Sequence, residues 1–250
     1  MGEKNLCLSF TIMLALAEIS FGQSKIQPLR LQALHDSTTN AFLRRAKITS
    51  QKDQKLKEIG VNLRDYLSKN AHGITAPDEK DQAAMSDLVF VGKVLDVVDM
   101  PAPSVFPFHS KVNVQVLEVL KGPEQQEGTI QLLRQSGTIR DVPPPKRRPP
   151  GVPANAKVTI SRTVTTDPTY KVGETSVFFA DSIEGDPYLA TVYKSVLSTA
   201  VERYPKPSYF VMSGGKFEII DSLVVYFGHA IPLGQFTSDI RQVTAILDRP

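Results

Sequence analysis

Residues 86–122 read SDLVFVGKVLDVVDMPAPSVFPFHSKVNVQVLEVLKG and contain the two clearest strand patterns in the chain. The first run, Leu88–Val98, is rich in β-branched and aromatic residues, which fit a pleated sheet. The second run, Val112–Val119, alternates apolar and polar residues, which indicates a strand with one buried face. Three prolines fall in the link at 100–109, so this link is predicted to be a loop rather than a tight turn. The stretch therefore predicts the first hairpin of a β-barrel.

Two positions interrupt the regular pattern of this hairpin. Gly92 stands inside the first apolar run, where an isolated glycine usually marks a bulge or a sharp bend. In the second run the alternation slips by one residue near Leu117. We expect a bulge or a bend at Gly92, as at the corner of a barrel.

Further strand signals follow along the chain. Ser136-Gly137 is expected to end the third strand, and Ser213-Gly214-Gly215 between two apolar runs predicts a hairpin turn. Gly228 is expected to end the last strand. The remaining strand segments that share this apolar, turn-bounded pattern are 129–133, 157–164, 170–180, 188–193, 208–212, 216–220 and 223–227.

Helical patterns occur before and after these strands. Apolar residues at helical spacing predict a helix over 50–68, and Ser50 with Asp53 resembles a capping box at its start. We expect the N-terminal helical region to pack on the side of the barrel or to form a partly mobile extension, rather than a partner-binding arm. Additional helices are predicted at 28–46, at 78–85, and near the C-terminus, where Thr237 or Ser238 can provide the cap.

The N-terminal residues have the pattern of a secretory signal peptide. Lys4 precedes an apolar run that ends near Phe21, and this run is shorter than the ~20 residues that span a membrane. Small residues flank Phe21, which predicts cleavage before Gln23, and Ala15-Leu16-Ala17 is the alternative site. We therefore expect an exported protein.

The cysteine content favours one kind of exported environment. Cys7 is the only cysteine and lies inside the signal segment, so the mature chain is expected to contain no thiol. Small secreted animal domains are usually rich in disulfides. A cysteine-free exported chain fits a bacterial periplasm better, and the expected location is periplasmic or extracellular.

Positive charge is concentrated in one proline-rich segment. The chain has a formal net charge of +3, whereas residues 139–163 contain six basic residues against the single Asp141. Within 141–153, DVPPPKRRPPGVP, six of thirteen residues are proline, which excludes a compact core and favours polyproline II conformation. The candidate binding residues, which could meet an acidic partner, are Arg140, Lys146, Arg147 and Arg148. An ordinary solvated insertion is the other interpretation.

The strand motifs resemble a group of exported bacterial domains. The residues that carry the resemblance are DLVFVGKV (87–94), VNVQVLEVLKG (112–122), GTIQLL (128–133) and YKVGETSVFF (170–179). These domains are similar in turn to the OB-like barrel of netrin-like modules and tissue inhibitors of metalloproteinases. The resemblance implies a five- or six-stranded barrel with a small terminal helix. The inhibitors block zinc with an N-terminal cysteine, and nothing at Gln23 or Asp87 can do so, which is why that mechanism is not carried over.

Motifs for catalysis and metal binding have little support. No two histidines lie at i, i+4, and there is no HExxH or GxSxG run. Ser213 and Lys216 have SxxK spacing, but two glycines between strand-like runs favour a turn over the helix that such a pair requires. Gly215-Lys216 lacks the earlier glycine of a phosphate-binding loop. We expect no cofactor, no metal and no catalytic residue.

The sequence thus predicts a mainly β protein with helical extensions. Its expected divisions are a signal peptide at 1–22, a helical extension and linker at 23–77, and an OB-like barrel at 78–250 with a basic insertion at about 139–163. The preferred function is that of an exported binding module for a protein or envelope component, with nucleic acid not expected. The alternative is an envelope hydrolase or protease-inhibitor-like protein with a site assembled in space.

Overall fold

Strand β1 (Leu88–Asp99) and strand β2 (Ser110–Lys121) form the antiparallel hairpin predicted from residues 86–122. The structure is a computed structural model and describes residues 43, 48–70, 78–99, 110–123, 128–134, 136–142, 158–163, 167–182, 209–226 and 228–248. The apolar side chains of both strands alternate between two separate cores, which explains why these runs are so rich in valine.

The predicted irregularities of the hairpin are confirmed. Val91 pairs with Glu118 and Gly92 pairs with Val116, so Leu117 is an extra residue in β2. A Cβ atom on Gly92 would lie only 2.5 Å from the Cγ1 atom of Val114, which is too close for two carbon atoms that are not bonded to each other. Gly92 is therefore required by the close approach of its neighbours at this bulge.

Five strands close into a barrel. After the first hairpin come β3 (Gly128–Arg134), β4 (Gly137–Val142), β5 (Val158–Arg162), β6 (Thr175–Ser182), β7 (Tyr209–Ile220), β8 (Leu223–Tyr226) and β9 (His229–Pro232). The main sheet has the order β3-β2-β1-β6-β7-β8-β9, and a parallel pairing of β3 with β7 closes its first five strands. This arrangement is an OB-like barrel, as predicted, with β8 and β9 as extra strands.

The barrel interior is filled by side chains from all five strands. Phe90 and Phe178 are fully buried there, with ring centroids 5.1 Å apart. The other buried residues of this core are Leu88, Val94, Val112, Val114, Ile130, Leu132, Tyr170, Ala180, Tyr209 and Val211. The described interior is therefore a packed core.

A second core lies on the outer face of the sheet, under helices. Helix α4 (Leu233–Leu247) buries Phe236, Ile240 and Val243 against Phe179 and other outward-facing strand residues. The described part of the chain also contains α1 (Ser50–Glu58), α2 (Leu63–Asn70) and α3 (Glu79–Met85). Leu56 and Leu63 join this core, so the N-terminal helices pack on the barrel's side as expected.

The single helix predicted over 50–68 is wrong. The chain forms α1 and α2 instead, separated at Gly60, which has a φ of +88°. The cap is Thr49 rather than Ser50, because the Thr49 side chain accepts a hydrogen bond from the backbone N–H of Lys52. The predicted helix over 28–46 lies outside the described residues except at Leu43, which is helical and buried.

The hairpin predicted at Ser213-Gly214-Gly215 is also wrong. These residues lie within the continuous strand β7, where Phe178 pairs with Lys216 and Ala180 pairs with Val211. Four residues of β7 therefore stand opposite one residue of β6, and the glycines accommodate a bulge rather than a reversal. The chain reverses at Asp221-Ser222, where both φ angles are positive.

Two other boundaries differ from the sequence prediction. The last helix begins at Leu233 after Pro232, so neither Thr237 nor Ser238 caps it. Gly137 does not end the third strand but begins β4.

The strand predicted at 188–193 lies outside the described residues. Within the described part of the chain, no helix has the length and apolar character needed to cross a membrane.

Candidate functional site

The arm, defined as the hairpin of β4 and β5 with its connecting residues 143–157, is inserted between two barrel strands. It forms a separate two-stranded sheet between β3 and β6 in the chain. Pairing runs from Gly137 with Arg162 to Val142 with Val158. Val142 and Val158 therefore lie at the end of the hairpin opposite Gly137.

The root of the arm, defined as Asp99, Ser110, Arg134, Ser136 and Asp167, connects it to the barrel. The carboxylate of Asp167 accepts hydrogen bonds from the backbone N–H of Ser136 and from Nε of Arg134, both at 3.0 Å. The Ser110 hydroxyl donates to the carbonyl oxygen of Ser136 at 2.5 Å, and this serine pair is buried. Thr138 at the start of the arm donates its N–H to Asp99 at 3.2 Å. Three barrel strands thus contribute to the root.

Tyr170 closes the barrel core beside the root. Its ring is parallel to that of Phe178 with centroids 6.3 Å apart, and the Arg134 guanidinium lies 4.9 Å from its centroid. Burial, followed by the nearby Asp167 carboxylate, raises the pKa of Tyr170 and keeps its hydroxyl neutral. Lys216 lies on the same ring and forms an ion pair of 2.7 Å with Glu174. Both cations at this end of the barrel are therefore paired with carboxylates.

A cleft of about 700 Å³ lies at the start of α4. Its lining includes Ser222, Leu233, Ser238 and the side chains of Glu118 and Arg241. The guanidinium of Arg241 pairs with the Glu118 carboxylate at 2.6 Å, so the two charged groups of the cleft satisfy each other. This pairing gives the cleft less capacity to hold a charged ligand.

Carboxylates gather where α2 meets α3. Burial, and then the charge of Asp78, raises the pKa of Asp81 to about 6. Burial, and then the charges of Asp181 and Asp81, raises the pKa of Tyr66 to about 12. Among the residues that the structure describes, no group of three histidine, cysteine, aspartate or glutamate side chains is placed to hold a metal ion.

The residues predicted as binding candidates fall on or within the arm. The backbone of Arg140 is part of β4, whereas Lys146, Arg147 and Arg148 lie outside the described residues. His229 is exposed in β9, and the other three histidines lie outside the described ranges.

The lysine of the SxxK spacing has other partners. Besides its ion pair with Glu174, Lys216 donates a hydrogen bond of 2.7 Å to the carbonyl oxygen of Thr169. It lies in strand β7, as the sequence argument against a helical pair requires.

Sequence reasoning missed the root of the arm. Arg134 and Asp167 are 33 positions apart and have no motif between them, so their ion pair arises from barrel closure. Asp167 is followed by Pro168, a pattern that indicates a turn, but nothing in it identifies the partner side chain.

No protein-family model matches this chain, and no curated protein matches it.

Proposed function

We propose that the protein is an exported, non-enzymatic binding module that uses its arm to engage an acidic partner. The observation that carries the proposal is the arm itself, a hairpin inserted between barrel strands β3 and β6 with its own pairing. Its connecting residues contain Lys146, Arg147 and Arg148. Clustered positive charge attracts polyanions and accelerates encounter with them.

Several cations of the described chain outside the arm are already paired with carboxylates. Arg134, Lys216 and Arg241 each form an ion pair with a carboxylate of the protein. A cation that is already paired loses that partner when it binds an external anion. The basic residues of the arm are accompanied by only one acidic residue between 139 and 163, which makes this segment the preferred anion-binding element.

The proposal includes export and a netrin-like relationship. The support for export is the apolar N-terminal run behind Lys4 and the absence of cysteine after Cys7. The support for the relationship is the set of strand motifs on an OB-like barrel. N-terminal sequencing of protein recovered from a bacterial periplasm should give Gln23 as the first residue, or Glu18 for the alternative site. Recovery of uncleaved protein from the cytoplasm alone would refute export.

Salt-dependent binding tests the role of the arm. Wild-type protein should be retained on heparin and on vesicles of phosphatidylglycerol, and retention should fall as salt rises. Heparin is a soluble sulfated polymer and the vesicle is an anionic surface, so the two probes distinguish a glycan-like partner from a lipid headgroup. The variant Lys146→Gln, Arg147→Gln, Arg148→Gln should elute from heparin at lower salt.

A matched variant separates local charge from overall charge. Arg64, Lys93 and Lys171 are exposed and lie outside the arm, and their triple substitution by glutamine removes the same total charge. This control should retain most of the binding. Equal loss in both variants, or no loss in the arm variant, would contradict the proposal.

A further inference from the structure

Asp167 holds the two ends of the arm together. Ser136 immediately precedes β4, and Asp167 follows β5 by five positions. A single oxygen of the Asp167 carboxylate accepts from the backbone N–H of Ser136 and from Nε of Arg134. Only 4% of the Asp167 side chain is exposed, so water competes weakly for these bonds. The carboxylate therefore joins the strand that enters the arm to the segment that leaves it.

Arg134 extends this connection into the barrel. It is the last residue of β3, and its Nη2 atom also donates to the carbonyl oxygen of Pro168 at 3.2 Å. Its guanidinium lies over Tyr170, which is stacked on Phe178 in the barrel interior. A continuous set of contacts thus runs from the barrel core to both ends of the arm.

We infer that Asp167 is a positioning residue that fixes the direction in which the arm leaves the barrel. The consequence for binding rests on the proposed function. A β4–β5 hairpin held in one orientation loses less conformational freedom when a polyanion binds to the arm, and this preorganisation increases affinity. Asp167 itself does not contact the partner, because its carboxylate is buried and already accepts two hydrogen bonds.

Hydrogen exchange of the two arm strands measures the positioning effect without any ligand. In Asp167→Ala, we expect amide exchange in 136–142 and 158–163 to rise about tenfold, since buried charge-assisted bonds are lost. Exchange in β1 and β6 should stay unchanged. Asp167→Asn should give a smaller rise, because its side-chain oxygen can still accept from Ser136. Heparin affinity should fall in the same order as arm exchange rises.

Glu174→Ala is the matched control. It removes the carboxylate that pairs with Lys216 at the same end of the barrel, and this ion pair does not touch the arm. Exchange in the arm should remain at the wild-type rate.

If Asp167→Ala unfolds the chain, Arg134→Gln removes the ion pair while leaving Asp167 as the acceptor for Ser136, and it should raise arm exchange to an intermediate level.

The outcomes separate this inference from the proposed function. Unchanged arm exchange in Asp167→Ala, or an equal rise in Glu174→Ala, would overturn the positioning role. Faster arm exchange with wild-type heparin affinity would overturn its consequence for binding. Unchanged heparin and vesicle retention in the arm's lysine and arginine variant would overturn the proposed function, while arm exchange would still decide the role of Asp167.

Discussion

Asp81 accepts a hydrogen bond from the backbone N–H of Asn62 over 3.0 Å, which ties α3 to the start of α2. This contact favours the ionised carboxylate, yet burial and the neighbouring charges of Asp78, Asp65 and Glu79 raise the pKa of Asp81 to about 6. We therefore expect the attachment of the N-terminal helices to depend on pH.

The first prediction concerns the sign of that dependence. An unfolded aspartate has its pKa near 3.8, so the folded state binds the Asp81 proton more tightly. Folding stability should therefore rise as pH falls from about 7 to about 4, by about 1 kcal/mol after allowance for solvent screening of this half-buried group. Urea unfolding at several pH values measures this rise.

Substitution of Asp81 by asparagine should remove that rise. The asparagine side chain would keep an oxygen that accepts from Asn62 but would carry no charge, so the variant should be more stable than wild type at a pH of about 7.5, above the folded-state pKa. Glu58→Gln, at an exposed position in α1, serves as the control and should keep the wild-type slope. A wild-type slope in Asp81→Asn would show that another group is responsible.

The second prediction concerns Gly92. Besides the Val114 contact, a Cβ atom here would lie 2.9 Å from Cε2 of Phe90 and 3.0 Å from the carbonyl oxygen of Gln115. Gly92→Ala should therefore destabilise the barrel by about 1–3 kcal/mol through overpacking. Gly234→Ala is the comparison, since nothing lies within 4 Å of its Cβ position in α4. Thermal unfolding should show a clear loss for the first variant and none for the second.

The third prediction concerns Lys121, whose ammonium group lies at the C-terminal end of α3. It donates to the carbonyl oxygens of Ala83 at 2.7 Å, Ala84 at 3.1 Å and Ser86 at 2.6 Å. Lys121→Met should lower the free energy of unfolding by about 1–3 kcal/mol, because partly buried carbonyls lose a charged donor. Lys93→Met, at an exposed position in β1, should have little effect. Similar denaturation midpoints for both variants would contradict this role.

The fourth prediction concerns the contact between Tyr226 and Glu79. The Tyr226 hydroxyl donates to Oε2 of Glu79 at 2.5 Å, and its ring stacks on Phe217 with centroids 4.4 Å apart. Tyr226→Phe keeps the ring but removes the donor, so the buried Glu79 carboxylate loses this hydrogen bond. The free energy of unfolding should therefore fall by about 1–3 kcal/mol. Adding Glu79→Gln to this variant should recover part of the loss, because the charge is gone. A double variant no more stable than Tyr226→Phe would argue against this explanation.

Local pattern was sufficient for most strands and insufficient for the ends of several elements. The valine alternation and the Gly92 interruption predicted β1 and β2, because both depend on neighbours that are close in sequence. The glycines at 213–215 were misinterpreted as a turn, since the same residues suit a turn or a bulge and only pairing with β6 selects between them. The Asp221-Ser222 reversal lacks the Asn-Gly or Asp-Gly signature that makes such turns recognisable.

Residue order alone was enough to define a mainly β chain, its first hairpin, its apolar N-terminal run and its basic proline-rich insertion, because each of these is a property of consecutive residues. Barrel closure required the folded chain, since Leu132 pairs with Tyr209 across 77 positions and no local signal specifies that partner. The same is true of Arg134 and Asp167. Contacts between residues far apart in sequence depend on how the strands pack, and these contacts decide where the arm stands.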